Sequence, residues 1–287
     1  MSAVPATPAP LAPDAKPMRG PSALGGGFRR FLDLTWMIGV TEYRLTYFGS
    51  ALGYLWSLMR PLMFFGVLYV VFSQIVNFGD DIPNYPMMLL MNIVLFSFFQ
   101  DVTERSVTAV VDSEALVRKM HFPRLVIPLA VVMTGLLNLV LNLLAVAIFF
   151  VAYGLDPQWT WLLFPVVLLP LVVFTAAAAM LLSALYVRFR DVAPIWSVAT
   201  TALFYGTPVL YAIDVVPESA QRYLLFNPLA DLLELARLWV IDPGASGPAD
   251  AIGGAAWLLV PIAIFVGVCV AAWFTFEHEA PIVAERL

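Results

Sequence analysis

From Phe28 to Phe48, apolar residues recur at Phe31, Leu34, Ile38, Leu45 and Phe48, interrupted by Arg29, Arg30, Asp33, Glu42 and Arg44. Those intervals put the apolar side chains on one helical face, and Trp36 suits the headgroup level. The stretch therefore predicts an amphipathic helix lying along a membrane interface. Beyond it, polar interruptions become rare. Long apolar runs predict six membrane crossings, at about Tyr54–Phe78, Tyr85–Val110, Leu125–Tyr153, Trp161–Val187, Pro194–Ile213 and Ile252–Phe276. The junction Gly49-Ser50-Ala51-Leu52-Gly53-Tyr54-Leu55-Trp56 joins the interfacial helix to the first crossing through small residues, and Arg60-Pro61 follows inside otherwise apolar sequence. A hinge is expected there.

The connection from Asp214 to Asp250 departs from the alternation of span and loop. Val216-Pro217-Glu218 and Phe226-Asn227-Pro228 are helix-start signals: proline at the first turn, an acid beside the dipole, and Asn as cap. The apolar pieces behind them, 223–226 and 229–240, are too short to cross about 30 Å of hydrocarbon. They predict two short helices that dip into the outer leaflet and return, with Pro217, Asn227 and Pro228 at an outer gate. Backbone exposed at such a turn must be buried in protein or face a wet cavity.

Composition supports a membrane chain: 61% of residues are hydrophobic and 12% charged, against about 45–50% and 25% in soluble domains. The fold class expected is an all-α membrane protein with one six-helix domain over residues 49–276. Residues 1–27, rich in Ala, Pro and Gly without a continuous apolar run, predict a disordered cytoplasmic tail and no cleaved signal peptide. Lys16, Arg19, Arg29, Arg30 and Arg44 precede the first crossing; Arg105, Arg118, Lys119 and Arg124 flank the second connection; Arg188 and Arg190 flank the fourth; Arg286 ends the chain. The connections around Asp80-Asp81 and Asp156 hold no Lys or Arg, so both termini are expected in the cytoplasm, with residues 277–287 as the cytoplasmic C-terminus. The net charge of −5, with no basic stripe, gives no indication of nucleic-acid binding. A lone Cys269 leaves no internal disulfide and suits packing.

Enzymatic constellations are missing. There is no phosphate loop of the G-x-x-x-x-G-K-[ST] type, the histidines are His121 and His278 alone, and Gly25-Gly26-Gly27 reads as a linker. No catalytic residue, metal site or cofactor is expected in this chain, so energy-driven work needs nucleotide hydrolysis by another. The segment Asp112 to Arg124 has the marks of a short helix: Asp112 as cap, Glu114 and Arg118 at i, i+4, cations in the last turn, and Pro123 after its end. It is either a solvated interfacial turn or a helix that docks in a cytoplasmic partner through Leu116, Met120 and Phe122. Arg60 either snorkels inward or meets a carboxylate or an anionic substrate group. Asp101 and Arg105 suit an i, i+4 pair with Glu104 alongside, and Asn138 and Asn142 suit helix–helix contacts. Aromatics gather in the first crossing as Tyr54, Trp56, Phe64, Phe65 and Tyr69, and in the fifth as Trp196, Phe204, Tyr205 and Tyr211. Packing is the default role of each, yet Phe204-Tyr205-Gly206-Thr207-Pro208 sets aromatics beside a helix breaker, and broken helices line cavities.

With these parts in place, the chain resembles the transmembrane subunit of ABC-2 type exporters for polysaccharides and teichoic acids, the Wzm and TagG-like permeases. The resemblance runs from about Phe28 to Phe276. It rests on Gly49-Ser50-Ala51-Leu52-Gly53-Tyr54-Leu55-Trp56 with Pro61, Arg118-Lys119 with Phe122-Pro123-Arg124, Arg190-Asp191-Val192, Thr207-Pro208-Val209-Leu210-Tyr211, Val216-Pro217-Glu218 and Asn227-Pro228-Leu229. Each is weak alone, but six in order are specific.

The resemblance implies a homodimer of six-helix subunits in the bacterial cytoplasmic membrane, around a conduit, with partner ATPase subunits that bind ATP and Mg. It implies an amphipathic gate helix over 28–48, and a coupling helix over about 113–122 that meets the ATPase through Glu114, Leu116, Arg118, Lys119, Met120 and Phe122. The substrate implied is a glycan on a polyprenyl pyrophosphate lipid, of O-antigen, teichoic acid or cell-wall galactan type. Tyr54, Trp56, Phe64, Tyr69, Phe204, Tyr205 and Tyr211 would line the conduit. The family pattern R-D-x-K-x-R-Y-[KR]-G-S is depleted here to Thr41-Glu42-Tyr43-Arg44-Leu45-Thr46-Tyr47-Phe48-Gly49-Ser50. A pyrophosphate headgroup would then fall to Arg44 with Arg29, Arg30 or Arg60. The competing expectations are an ABC-2 permease for drugs or small lipids, a membrane-embedded glycan-modifying enzyme, and a non-transport membrane scaffold.

Overall fold

The computed structural model describes residues 27–47, 53, 55–75, 82–113 and 124–279. Among them the regular structure is helical, without strands. In chain order the helices are α1 (Gly27–Tyr47), α2 (Leu55–Tyr69, prolonged by a π turn over Val70–Ile75), α3 (Tyr85–Asp112), α4 (Val126–Tyr153) and α5 (Phe164–Arg188, entered through a 3-10 turn over Trp159–Leu163). Then follow α6 (Val192–Gly206), α7 (Glu218–Leu224), α8 (Pro228–Ala236, continued by a π turn over Arg237–Ile241), α9 (Pro248–Ala251) and α10 (Leu259–Glu279, entered through a 3-10 turn over Ala255–Leu258).

Helix α3 is the axis of the bundle. It packs against α2, α4, α5 and α6, and its side chains from Tyr85 through Val110 are largely buried. A helix apolar on all sides must be enclosed by others, and Met87 through Leu90 are completely covered. Helices α4 and α10 instead leave one apolar face open, with Val140, Leu144, Ile148 and Val151 on the first and Ile262, Val266, Val270 and Trp273 on the second.

Five helical segments are long and apolar enough to cross a membrane: Leu55–Ser73, Tyr85–Asp112, Val126–Tyr153, Trp159–Arg188 and Ala255–Thr275. The expected fifth crossing differs. Helix α6 holds 15 residues, about 22 Å at 1.5 Å per residue, short of the ~30 Å hydrocarbon core. Pro208 explains the stop, because proline forces the residue before it out of the helical region, and Thr207 is extended at φ −103°, ψ 144°. The last crossing also begins later than expected, at Leu259; Ile252 is buried instead in a small cluster with Ile213, Leu225 and Ala230.

Helix α1 lies along α4. Gly39 is the reason it comes so close: a Cβ there would stand 2.8 Å from the Met133 Cβ and 3.1 Å from the Ala130 carbonyl. The Thr134 hydroxyl donates to the Gly39 carbonyl at 3.1 Å, and Tyr47 donates to Asn138 Oδ1 at 2.8 Å. Phe31, Leu34 and Ile38 are half-buried, whereas Leu45 is exposed with Leu32, Trp36 and Met37. The apolar surface of α1 is thus divided between α4 and the surroundings. Phe48 lies outside the described residues. At the hinge, Gly53 takes φ +49°, a left-handed conformation that glycine adopts without strain.

Candidate functional site

A cavity of about 780 Å³ opens where α1, α2, α3 and α4 meet. Helix α2 contributes Trp56, Ser57, Arg60, Pro61, Met63 and Phe64; α3 contributes Ser97, Gln100, Asp101, Glu104 and Arg105; α4 contributes Asn138 and Asn142; and α1 contributes Thr46 and Tyr47. Helical spacing explains why Gln100, Asp101, Glu104 and Arg105 of α3 face one way, since they recur at i, i+1, i+4 and i+5, with Ser97 one turn before Asp101. Arg60 meets Asp101 across the cavity at 3.6 Å, so Asp101 pairs with another helix in addition to its expected neighbourhood on α3. Glu104 Oε1 accepts from Gln100 Nε2 and from Thr200 Oγ1, each at 2.9 Å. With Trp196 Nε1 donating to Thr103 Oγ1 at 3.0 Å, these bonds fix the rotation of α6 against α3. On α1, burial pushes the Glu42 carboxyl above its ordinary range while Arg105 draws it down.

Of the cations expected to receive a headgroup, Arg60 alone lines this cavity; Arg29, Arg30 and Arg44 are exposed on α1. Among the expected conduit residues, Tyr205 is 63% exposed, and Trp56 and Phe64 are also open. Phe204 differs from these three. It is 7% exposed and packs against Phe64 and Phe96 with ring centroids 5.6 and 5.3 Å away, wedging α6 between α2 and α3. Tyr69 is half-buried and stacks on Phe65, and Tyr211 donates to the Tyr205 carbonyl at 3.3 Å. Tyr54, Glu114, Leu116, Arg118, Lys119, Met120 and Phe122 lie outside the described residues. Asp112 ends α3 and accepts from the Thr108 hydroxyl at 2.7 Å.

At the far end, the chain broken by Pro208 is held by side chains. Asn92 donates to the Pro208 carbonyl at 3.0 Å, Tyr85 to the Leu210 carbonyl at 2.9 Å, and Asn227 Nδ2 to Thr207 Oγ1 at 2.8 Å. These bonds satisfy backbone that lipid could not. Asn227 also caps α8 as expected, its Oδ1 accepting from the Leu229 amide at 3.1 Å, with Pro228 in the first turn; Pro217 precedes α7. The π turn that follows α8 leaves carbonyls for others: Trp161 Nε1 donates to Val240 at 2.8 Å and Asn84 Nδ2 to Ile241 at 3.4 Å.

Beneath this clasp lies an ion cluster that periodicity did not reveal. Buried Arg237 pairs with Asp214 at 2.8 Å, Glu234 at 3.2 Å and Asp242 at 3.6 Å. Glu234 Oε1 also accepts from the Ile213 amide at 3.0 Å. Burial pushes Glu234 up to about 7 despite Arg237, and burial together with Glu234 pushes Asp231 up to about 7. The only hint in the sequence was an i, i+3 acid–base pair inside an apolar stretch; Asp214 and Asp242 are too distant along the chain to be linked by spacing.

Residues 33–239 match the ABC-2 type transporter family. The O-antigen export system permease protein RfbA of Myxococcus xanthus is 34% identical over 194 residues, 67% of this chain and 74% of that protein. Its namesake from Klebsiella pneumoniae is 31% identical over 202 residues, 70% of this chain and 77% of that protein. The polysialic acid transport protein KpsM of Escherichia coli is 22% identical over 204 residues, covering 68% and 76%. With the match spanning more than half of its residues, the chain belongs to the ABC-2 type transporter family.

Proposed function

We propose that this chain is the permease subunit of an exporter that moves a lipid-linked polysaccharide across the cytoplasmic membrane. The observation that carries the proposal is the character of the open face shared by α2 and α6. Arg60 on α2 and Ser197, Thr201 and Tyr205 on α6 stand exposed, on two helices that both pack on α3 and meet through Phe64 and Phe204. Lipid disfavours such groups, but a hydroxyl-rich polymer and its water would accept them, with Trp56, Phe64 and Tyr205 offering aromatic faces to sugar C–H groups. The names of the relatives, O-antigen export and polysialic acid transport, point to the same cargo class.

In this proposal α6 and the extended chain after Gly206 together make the fifth of six crossings, and α7 and α8 dip from the outer side without crossing. A second copy of the chain closes the conduit against the open face, and both termini are cytoplasmic by the distribution of Lys and Arg. A separate ATPase binds ATP and Mg and docks on residues 113–122. The polyprenyl-pyrophosphate-linked glycan enters beside α1. Depleting the protein in its host and analysing the lipid-linked intermediates tests this function. Accumulated lipid-linked glycan on the cytoplasmic side is the expected result. Unchanged glycan export, with loss of drug or small-lipid efflux, would overturn it.

A further inference from the structure

The cavity enclosed by α1, α2, α3 and α4 has a charge balance unlike that of an anion site. Its two guanidinium groups, Arg60 and Arg105, face two carboxylates, Asp101 and Glu104. Arg60 is already paired with Asp101 at 3.6 Å, and Arg105 follows Asp101 by one helical turn on α3, within electrostatic reach of Glu42 on α1. A phosphate entering here would meet cations that already face carboxylates, and it would lie beside those carboxylates, which repel it. A neutral ligand bearing many hydroxyls meets neither obstacle. Each hydroxyl both donates and accepts, and the wall offers acceptors and donors side by side.

Specific vacancies in the hydrogen bonding fit that ligand. Glu104 uses Oε1 for Gln100 and Thr200, leaving Oε2 for an incoming O–H. Asn142 donates one N–H to the Asn138 carbonyl at 2.9 Å, leaving a second N–H and its oxygen. Trp56, 53% exposed at the rim, supplies a flat apolar face for ring C–H groups. The volume of about 780 Å³ falls within the range of about 300–1,000 Å³ usual for small-molecule sites.

We propose, resting on the polysaccharide-transport function above, that this cavity binds a neutral pyranose unit of the transported glycan and does not hold its phosphate-bearing end. Glu104 and Asn142 take the sugar hydroxyls, and Trp56 covers one face of the ring. Because the walls come from α1 and α2 as well as α3 and α4, an occupant would tie the interfacial helix to the first crossing.

The test uses the full-length protein in lipid nanodiscs and two kinds of probe: methyl glycosides of glucose, galactose, mannose and rhamnose, and inorganic pyrophosphate. Ligand-observed NMR saturation transfer should detect saturable binding of at least one glycoside. That binding should weaken at least tenfold in Asn142→Leu, which replaces the amide by branched carbon of similar length, and in Trp56→Ala, which truncates an exposed side chain. Pyrophosphate should show no binding sensitive to Asn142→Leu. The proposal is overturned if no glycoside binds, if glycoside binding is the same in both variants, or if pyrophosphate occupies a site that Asn142→Leu removes. Depletion in cells separates this from failure of the transport function: with transport intact and this site absent, depleted cells accumulate lipid-linked glycan while Asn142→Leu restores export fully. If depletion leaves export unchanged, the transport function itself has failed.

Discussion

Helices α6 and α10 are both open to the outside of the chain, yet they expose different chemistry. Helix α10 exposes Leu259, Ile262, Ile264, Val266, Val270, Trp273 and Phe274. Helix α6 exposes Ile195 and Val198 too, but sets Ser197, Thr201 and Tyr205 among them. The first is long and packs on α5; the second is short, ends at a proline, and is anchored by side chains reaching from α3 and α8. An exposed apolar face by itself indicates only a non-aqueous neighbour. Under the proposed function, the mixture on α6, with the polar links behind it, distinguishes a wall of the pathway from a wall against lipid.

The largest effect is expected at the clasp that holds the end of α6. Arg237→Met would leave Asp214, Glu234 and Asp242 without their shared cation, and breaking a buried pair costs about 3–5 kcal/mol. A loss of folded protein on extraction, read by size-exclusion profile and thermal midpoint, is the expected outcome; a wild-type midpoint would mean the cluster is solvated. Next comes a direct contrast between the two helices. Val266→Asp places a charge on the lipid-facing side of α10, at a cost of about 2.5–3.5 kcal/mol for a helix centre, whereas Thr201→Asp on α6 should fold with near wild-type yield. Equal yields from the two variants would erase the distinction.

A smaller, graded effect should appear with pH. The Glu234 carboxyl rises from 4.5 to about 7 on folding, chiefly through burial, with Asp214 adding to the rise and Arg237 and the Ile213 amide opposing it. A raised folded value means the group's contribution is complete below about pH 4.5 and is lost as pH climbs through 7. Asp231 follows the same sign, from 3.8 to about 7. The thermal midpoint should therefore be higher at pH 5 than at pH 8, and Glu234→Gln should flatten that slope; a midpoint that rises with pH would contradict it. The smallest effect belongs to Arg60→Gln. Its pair with Asp101 is largely exposed, so the change in stability should stay below about 1 kcal/mol, measured by denaturant titration of the purified protein.

Much of this architecture was legible in the order of residues. Helix α1, four of the long spans and the Asn227-Pro228 helix start follow from periodicity and capping chemistry, which are local properties. Pro208 was legible as a breaker, but its consequence was underestimated: the apolar stretch continues to Ile213, and hydropathy does not register a missing N–H. Phe204 and Tyr205 are adjacent and both aromatic, and only the rotation of α6, set by Trp196 and Thr200, decides that one is a wedge and the other a surface. The Arg237 cluster was hidden because its partners come from separate turns, brought together by the π turn and the chain after Ala212.

The central claim, that α6 faces a wet pathway and α10 faces lipid, can be read by thiol accessibility. Single cysteines at Ser197, Thr201 and Tyr205 on α6, and at Ile262, Val266 and Val270 on α10, would be placed in a Cys269→Ala background and treated in membranes with a water-soluble maleimide. Rapid labelling on α6 and none on α10 is the predicted result. Equal protection of both sets, or labelling confined to α10, would contradict the account.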